Sequence, residues 1–334
     1  MLKKSIYIGI NANSGGMWPG KIAEITRKFS DKAVIEVSTD LESAARMYRT
    51  IIKDGYQICA ILGGDGTQQS ARDNLRDVAR ELNKPVPIQA ITADGGTGKA
   101  LASYVGAMNG VSSLDKIVNY PHLDKIPTLD LSMLDVYIGD SAESKSAFCV
   151  GLGLDAEVVG QYDQETVKGI PGYLIAIAKV LSGRRKFSKV KITSIGGKVT
   201  SIENNVWRKQ EAEPGTVIYE GPSANIIAGV IPNFGFNVQA FPFANAAAET
   251  GRMHLRILAV ETRNQFIKKV IPKAWQMYSG TIRAPFLEYL GRGFEIEVKN
   301  SEHLELGGDY QGLHPKVRFE VSKDPMKVVD MWNI

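Results

Sequence analysis

Short apolar runs alternate with amphipathic stretches over the first 127 residues of this 334-residue chain. Each apolar run ends in small or polar residues, which is typical of buried parallel strands that lead into loops. The stretches between the runs carry apolar residues at helical spacing. The pattern predicts strands at 5–10, 33–38, 58–62 and 86–92, and helices at 19–29, 41–53 and 68–82. Such alternation indicates a parallel α/β domain over residues 1–127, with its ligand at the carboxyl ends of the strands.

The pattern changes after residue 127, where many short strands follow one another, separated by Gly, Pro and Asn turns. This predicts an antiparallel β-sandwich over residues 128–320, followed by a tail at 321–334 that returns to the first domain. The predicted strands lie at 129–138, 146–151, 190–195, 199–203, 217–219, 225–231, 252–259 and 294–298.

Two helices interrupt the second half, at 170–182 and 262–278, and both are amphipathic with lysines on the polar face. The favoured interpretation is a helix that packs its apolar face on the core and keeps its lysines in solvent. A helix that lies on a membrane surface is the alternative.

The loop with the clearest chemistry is Gly63-Gly64-Asp65-Gly66-Thr67, directly after the apolar run at 58–62. Its glycines allow positive φ and let the backbone approach a ligand. Backbone N–H groups in such a loop can cradle phosphate oxygens where a helix begins. Asp65 is expected to orient a phosphate-bound cation or a reacting hydroxyl. A plain strand-to-helix turn is the alternative.

Composition narrows the function classes. The net charge is +4, with 40 basic and 36 acidic residues, so no nucleic-acid partner is expected. The two cysteines, Cys59 and Cys149, stand in apolar surroundings, which predicts buried reduced thiols and a cytoplasmic location. No apolar run is long enough to cross a bilayer, so any membrane contact would be peripheral. The four histidines share no metal-ligand spacing.

Several segments, in this order, resemble those of the diacylglycerol kinase catalytic-domain family, which includes soluble bacterial lipid kinases and the sphingosine and ceramide kinases. NAD kinases carry the same G-G-D-G loop more distantly. The similar segments are N-A-N-S-G at 11–15, G-G-D-G-T at 63–67, G-G-T-G at 95–98, F-C-V-G-L-G-L-D-A-E-V at 148–158, P-F-A-N-A-A-A-E-T-G-R-M-H-L-R-I at 242–257 and G-D-Y-Q-G at 308–312.

The resemblance implies an ATP-binding α/β domain and a β-sandwich that meet at a cleft. It implies an ATP- and Mg²⁺-dependent kinase that transfers the γ-phosphoryl group to a hydroxyl of a diacylglycerol- or sphingoid-type lipid, or of another small molecule. Asp309 would be the catalytic base, and Asp65 would help to hold metal and phosphate. A homodimer and peripheral membrane contact stay open. The residues implied to bind nucleotide are Asn13, Ser14, Ser38, Thr39, Gly63, Gly64, Asp65, Gly66, Thr67, Gln68, Gln69, Gly96, Thr97, Gly98 and Lys99.

Some family carboxylates are replaced in this sequence. The family's G-T-x-N-D loop reads Gly96 to Ala100 here, and its D-G-E run reads Asp309 to Gln311. The Glu after G-G-D-G-T is Ser70 here, and the second-domain D-G is Thr250-Gly251. Hard cations require charged oxygen ligands, so these losses weaken divalent cation binding.

The remaining polar residues suggest substitutes for the lost groups. Glu249 is the nearest acid to Thr250 and thus a weak candidate metal ligand, and Gln311 would lie near the base. Asp94 could compensate for the missing carboxylate at position 100, although a turn-forming Asp is the alternative. Lys99 would supply positive charge at the phosphates. Two other functions stay open, namely a diverged nucleotide-binding protein of the same fold with weak or no kinase activity, and an NAD kinase-like enzyme.

Overall fold

The computed structural model describes residues 5–15, 17–93, 99–107, 109–183, 187–203, 206–235, 238–269, 272 and 286–334. The chain divides into two compact units. Unit 1 contains Met1–Leu131 and Pro325–Ile334, and unit 2 contains Ser132–Asp324. Unit 1 is built on a mostly parallel sheet with helices and unit 2 on a large antiparallel sheet, so the predicted fold class is confirmed.

The elements are numbered in chain order. The helices are α1 Pro19–Phe29, α2 Leu41–Asp54, α3 Asp65–Leu82, α4 Ala100–Tyr104, α5 Gly110–Val118, α6 Leu154–Asp163, α7 Ile170–Ser182, α8 Ala244–Ala248 and α9 Arg263–Lys269. The strands are β1 Ile6–Asn11, β2 Val34–Ser38, β3 Ile58–Leu62, β4 Ile88–Gln89, β5 Thr128–Leu131, β6 Leu134–Ile138, β7 Lys145–Ala147, β8 Cys149–Gly153, β9 Ser188–Ile195, β10 Val199–Glu203, β11 Val206–Ala212, β12 Val217–Ser223, β13 Asn225–Gly229, β14 Met253–Leu258, β15 Phe286–Gly291, β16 Gly293–Leu306, β17 Asp309–Val321 and β18 Met326–Val329.

The sheet of unit 1 has the strand order β2-β1-β3-β4-β18-β5. Strands β1 to β4 run parallel, and β18 pairs parallel with β4 and antiparallel with β5. Every residue of β3 is buried, because helices cover both faces of such a sheet. The carboxyl ends of β1, β2 and β3 therefore meet along one edge of the sheet.

Helices α2 and α3 pack against the sheet through apolar residues at helical spacing. Ile51 of α2 and Leu75 of α3 belong to one buried cluster with Tyr7 and Cys59 of the sheet. Helix α2 begins with a capping box, in which the Asp40 carboxylate accepts from the Ser43 N–H.

The sheet of unit 2 has twelve strands among the described residues, in the order β11-β10-β15-β14-β13-β8-β16-β17-β6-β7, and β9 joins β12 to β16. The hairpin β16–β17 turns at Gly307 and Gly308, whose φ angles are 57° and 91°. Two positive φ angles are typical of the two-residue turns that fit the twist of a hairpin. Helices α6 and α7 follow β8 and pack against each other, with the rings of Tyr162 and Tyr173 stacked at 3.9 Å.

Several predicted boundaries are wrong. The stretch 129–138 is two strands, because β5 pairs in the sheet of unit 1 while β6 pairs with β17 in unit 2. Helix α3 begins at Asp65 rather than at residue 68. The helix predicted at 262–278 is described from Arg263 to Lys269, and most of its remainder lies outside the described residues. Both cysteines are buried and free, as predicted.

Across the described part of the chain, no helix combines the length and apolar character needed to cross a membrane.

Candidate functional site

The first turn of α3 has no capping side chain at its N-terminus. Gly64 is its N-cap in an extended conformation, and Asp65, Gly66 and Thr67 form the turn itself, two residues after β3 ends. The first N–H groups of a helix have no intrahelical acceptor, and the helix dipole adds partial positive charge there. Backbone N–H groups of this kind bind phosphate oxygens. The turn lies at the sheet edge where the sequence predicts the ligand.

Glycine is required at position 63 for space rather than for backbone freedom. Gly63, Gly64 and Gly66 are not among the residues with positive φ, so the loop does not use the backbone freedom that its glycines allow. A Cβ on Gly63 would lie 2.5 Å from three side-chain atoms of Thr67. No real Cβ tolerates such a contact, so glycine is what allows β3 to run so directly into α3.

Asp65 fixes the start of the neighbouring helix α4. Its Oδ2 accepts from the Ala100 N–H at 3.0 Å and its Oδ1 from the Leu101 N–H at 3.3 Å. Burial raises the pKa of the Asp65 carboxyl, and the two N–H donors oppose that shift. Both oxygens are thus engaged with α4 in the described structure. The role of Asp65 in holding metal and phosphate stays a prediction.

Side-chain hydrogen bonds tie together the loops that follow β1, β2 and β3. The Asn11 amide donates to the Thr67 hydroxyl at 3.2 Å, and the Asn13 amide donates to the Thr39 carbonyl at 2.7 Å. The Asn13 N–H in turn donates to Asn11 Oδ1 at 3.0 Å. The structure therefore brings the predicted residues Asn13, Thr39 and Thr67 together. Asn11 belongs to the similar segment at 11–15 but was not among the residues predicted to bind nucleotide.

Three other residues that are predicted to bind nucleotide have side chains that form hydrogen bonds within the protein. Gln68 is 1% exposed and donates to the Ile61 carbonyl beneath α3, and Gln69 is 5% exposed and donates to the Asp65 carbonyl at 3.4 Å. The Ser38 hydroxyl is buried and donates to the Ile10 carbonyl at 3.3 Å. These side chains lie in the interior of unit 1, and their contact with a nucleotide stays a prediction. The neighbouring Ser14 is half-buried, and its N–H donates to the Asn11 carbonyl at 3.1 Å.

The second predicted loop is described only at its end. Asp94, Gly96, Thr97 and Gly98 lie outside the described residues. Lys99 is exposed and is the N-cap of α4 with φ 53° and ψ 29°, a left-handed conformation that costs an L-residue about 1 kcal/mol. Glycine would adopt this conformation without strain, and the Lys99 side chain makes no cap hydrogen bond that would favour lysine. The property that lysine adds at this position is therefore its charge.

In unit 2, Asp309 is an exposed residue at the start of β17, directly after the Gly307–Gly308 turn. Glu305 holds that turn, because its Oε2 accepts from the Gly308 N–H at 2.5 Å. Gln311, which was predicted to lie near the base, donates to the Asp309 carbonyl at 3.0 Å and accepts from Lys145 Nζ at 2.8 Å. Asp309 and Gln311 are therefore neighbours on one hairpin.

A buried carboxyl pair lies beneath this hairpin. Glu305 of β16 pairs with Gly151 of β8, and Asp155 stands in the first turn of α6. Asp155 Oδ2 and Glu305 Oε1 lie 2.2 and 2.5 Å from the point that a Cβ on Gly151 would occupy. Burial raises the pKa of Glu305 well above its usual range, and the charge of Asp155 raises it further. Asp155 belongs to the similar segment at 148–158, but sequence reasoning missed Glu305, because simple alternation places this acid on the face opposite to Leu304 and Leu306.

A metal site built from several protein side chains is not found in the described part of the chain. No group of three or more His, Cys, Asp or Glu side chains there could hold a metal ion. Glu249 is exposed directly after α8, and Asp65 is engaged with α4. Mg²⁺ is usually bound by one or two carboxylates together with substrate phosphates, so metal binding by Asp65 or Glu249 stays a prediction.

The proton on Glu305 leads to a prediction for stability. Because the folded-state pKa is raised, the unfolded chain releases this proton first as pH rises, so the native state loses stability from about pH 4.3 upward. Glu305→Gln keeps an acceptor for Gly308 and cannot ionise. The variant should match the unmodified protein at pH 4.5 and be more stable than it at pH 8. Urea unfolding followed by circular dichroism measures both.

Glu302→Gln is the control on the same strand, where Glu302 is also buried and accepts from the Ser188 hydroxyl at 2.6 Å. This variant should not gain stability at pH 8. A stability difference for Glu305→Gln that is the same at both pH values would contradict the assignment of the proton.

Comparison with known proteins gives a fold and no sequence relative. No family profile and no curated protein matches this sequence. Three solved structures from Bacillus anthracis str. Sterne are similar over nearly the whole chain. One, named a diacylglycerol kinase, has 13% identity and a TM-score of 0.58, and covers 98% of this chain and 97% of its own. Two others, provisionally named diacylglycerol kinases, have TM-scores of 0.60 at 15% and 13% identity, and cover 98% of this chain and 98% and 97% of their own.

At such low identity these likenesses show the fold alone. The resemblance inferred from the sequence motifs is confirmed at that level, and the chain has a kinase-like fold. Substrate, catalytic residues and turnover are separate questions, because one fold hosts many functions.

Proposed function

We propose that this protein is an ATP-dependent kinase that phosphorylates a hydroxyl of a diacylglycerol- or sphingoid-type lipid. One observation carries the proposal, namely the anion-ready first turn of α3 at the carboxyl edge of a parallel sheet, with Asn11–Thr67 and Asn13–Thr39 bonds fixing the three loops around it. Nucleotide phosphates are the ligands that such an edge recognises in α/β folds.

The proposed step moves one phosphoryl group. The acceptor hydroxyl oxygen forms a bond to the γ-phosphorus of ATP, the bond from that phosphorus to the β,γ-bridging oxygen breaks, and ADP leaves. The hydroxyl proton passes to the Asp309 carboxylate, which acts as general base. Unit 1 binds the triphosphate through the first-turn N–H groups of α3, and Lys99 contributes positive charge. A magnesium ion would enter with the nucleotide and neutralise phosphate charge.

A second candidate is a nucleotide-binding protein of the same fold with weak or no transfer. The favouring observation is that Asp65 is committed to α4, while a carboxamide, Gln311, stands beside Asp309 where the family carries a carboxylate. Neither group could then hold a metal ion or take a proton in the way the family pattern requires.

Transfer of labelled γ-phosphate from ATP to a panel of acceptors tests the proposal. The panel contains diacylglycerol and a sphingoid base in mixed micelles, and NAD in solution. A labelled phospholipid that requires both the full chain and ATP is the expected result. Tight ATP binding without any labelled product would overturn the proposal in favour of the second candidate. Labelling of NAD alone would assign an NAD kinase-like activity instead.

A further inference from the structure

A fully buried histidine lies in the large sheet of unit 2. His254 of β14 is 0% exposed, and neither of its ring nitrogens has a hydrogen-bond partner among the described residues. Its Nε2 lies 3.7 Å from Glu288 Oε2 of β15, which is too long for a hydrogen bond. Buried polar groups are nearly always paired, so this imidazole needs a reason beyond packing.

Two aromatic rings cover His254. Gly229 of β13 stands opposite His254 in the sheet, and a Cβ on this glycine would lie 2.5 Å from the Phe241 ring. The ring therefore fills the space that a side chain at position 229 would take, and it meets the imidazole nearly at right angles with ring centroids 6.2 Å apart. The Phe243 ring makes a second perpendicular contact at 5.3 Å. Both rings belong to residues 238–243, the Phe segment, which leads into α8.

A buried ion pair holds the same segment. The Arg256 guanidinium donates through Nε and Nη2 to Glu288 Oε1, at 3.1 and 2.8 Å. Its Nη1 donates to the Ala240 carbonyl of the Phe segment at 2.6 Å. Arg256 follows His254 by two residues, so both side chains lie on one face of β14. The Phe segment is thus fastened to this face by one charged contact and by two aromatic contacts with a neutral imidazole.

Protonation of His254 would place a second buried cation beside a single carboxylate. The strand β13, the Phe segment and α8 contain no titratable residue, so Arg256 and Glu288 are the charged groups that face His254 from these elements and from β14 and β15. An imidazolium here would be attracted by Glu288 and repelled by Arg256, with no water to solvate its charge. Burial lowers the pKa of His254, and the Glu288 carboxylate opposes that shift. The closed arrangement therefore accommodates the neutral imidazole and disfavours the cation.

We propose that His254 is a pH-sensitive switch that keeps the Phe segment closed at neutral pH and releases it in acid. When the two phenylalanine rings move away, the imidazole reaches water and takes up a proton at its ordinary pKa of about 6.5. Because the pKa in the closed state is lower, the stability of the closed state is complete above that pH and falls as the pH drops below it. The switch does not depend on the proposed kinase activity.

Hydrogen–deuterium exchange of the full chain at pH 7.5 and pH 5.5 tests the switch, after correction for the pH dependence of chemical exchange. The Phe241 N–H, which donates to the Pro232 carbonyl at 3.0 Å, is the reporter within the Phe segment. Its protection should fall about tenfold at pH 5.5, because a proton that binds only the open state at a pKa of about 6.5 raises the opening constant by that factor. Protection of residues 294–298 in β16 should change less than about twofold, since this opening is local.

His254→Met and His254→Gln are the test variants, because neither side chain titrates. Both should show the same protection of the Phe segment at the two pH values. His122→Gln is the matched control, since His122 is exposed in unit 1, and it should keep the response of the unmodified chain. A pH response that persists in either folded His254 variant overturns the proposal. If neither variant folds, the unmodified chain decides, because a loss of protection that is absent, or that extends equally to residues 294–298, overturns the proposal as well.

Discussion

Gly63→Ala is expected to destabilise unit 1 by about 1–3 kcal/mol and to weaken ATP binding at least about tenfold. The added Cβ would lie 2.5 Å from Cβ, Cγ2 and Oγ1 of Thr67, so α3 cannot begin where it does. A displaced first turn moves the N–H groups that are proposed to receive phosphate, and it strains the Asn11–Thr67 hydrogen bond. Urea unfolding and isothermal titration with ATP measure the two effects.

Gly15→Ala is the control in the neighbouring loop. Nothing lies within 4 Å of a Cβ on Gly15, and its φ is not positive, so this change should be nearly silent for stability. Thr67→Gly removes the atoms that the new Cβ would meet. Gly63→Ala should therefore cost much less in the Thr67→Gly background than alone, a coupling that a double-mutant cycle isolates. Equal stability and affinity of Gly63→Ala and Gly15→Ala would refute the space requirement.

The same loop shows what sequence can and cannot reveal about a site. The apolar run of β3 followed by glycines gave the strand, the loop and the helix in the right order, because burial and turn formation are local properties of those residues. The local sequence does not show the contact between position 63 and Thr67 across the turn, so the space requirement at Gly63 could not be predicted from it. Nor does it show that Asp65 reaches Ala100, since that bond joins two separate loops.

The errors in the strands predicted for the second half of the chain arise from pairing between strands that are distant in the sequence. The stretch 129–138 has one continuous pattern, yet its halves pair with different strands, β18 and β17. Strand β17 was not predicted, because Gly312 and Pro315 interrupt its alternation and only pairing along β16 makes the strand visible. Helix α7 was predicted from its spacing, but which side faces inward depends on how small residues fit against α6. The spacing of apolar residues predicts that a helix or strand forms, but the element it packs against determines which side faces inward.

Asp309→Asn is expected to lower the rate of phosphoryl transfer by about 10²- to 10⁴-fold, the usual contribution of a general base. Asparagine keeps the size and exposure of the side chain but cannot accept the hydroxyl proton. The affinity for ATP should stay unchanged, because the proposed phosphate contacts belong to unit 1. Single-turnover transfer to the best lipid acceptor, with ATP affinity measured separately, distinguishes a lost base from lost binding.

The hairpin geometry makes a companion variant informative. An Asp-Gly pair is itself a favoured two-residue hairpin turn, and the turn here is Gly307–Gly308. The family's D-G-E run could thus align with Gly307, Gly308 and Asp309 instead of with Asp309, Tyr310 and Gln311. In that alignment, Gly307 stands at the position of the family's catalytic base. Gly307→Asp puts a carboxylate at φ 57°, a conformation that Asp tolerates.

The two variants together identify the base. A loss of transfer in Asp309→Asn with no gain in Gly307→Asp assigns the proton to Asp309 and makes the chain a working kinase. Unchanged transfer in Asp309→Asn with a gain in Gly307→Asp would mean that the chain lacks its base, which favours the nucleotide-binding candidate. Glu305→Gln should alter neither rate by itself if its role is to hold the turn, because the Gly308 N–H keeps an acceptor. Asp309, which is exposed at the start of β17, is the carboxyl that the proposal assigns to accepting the proton.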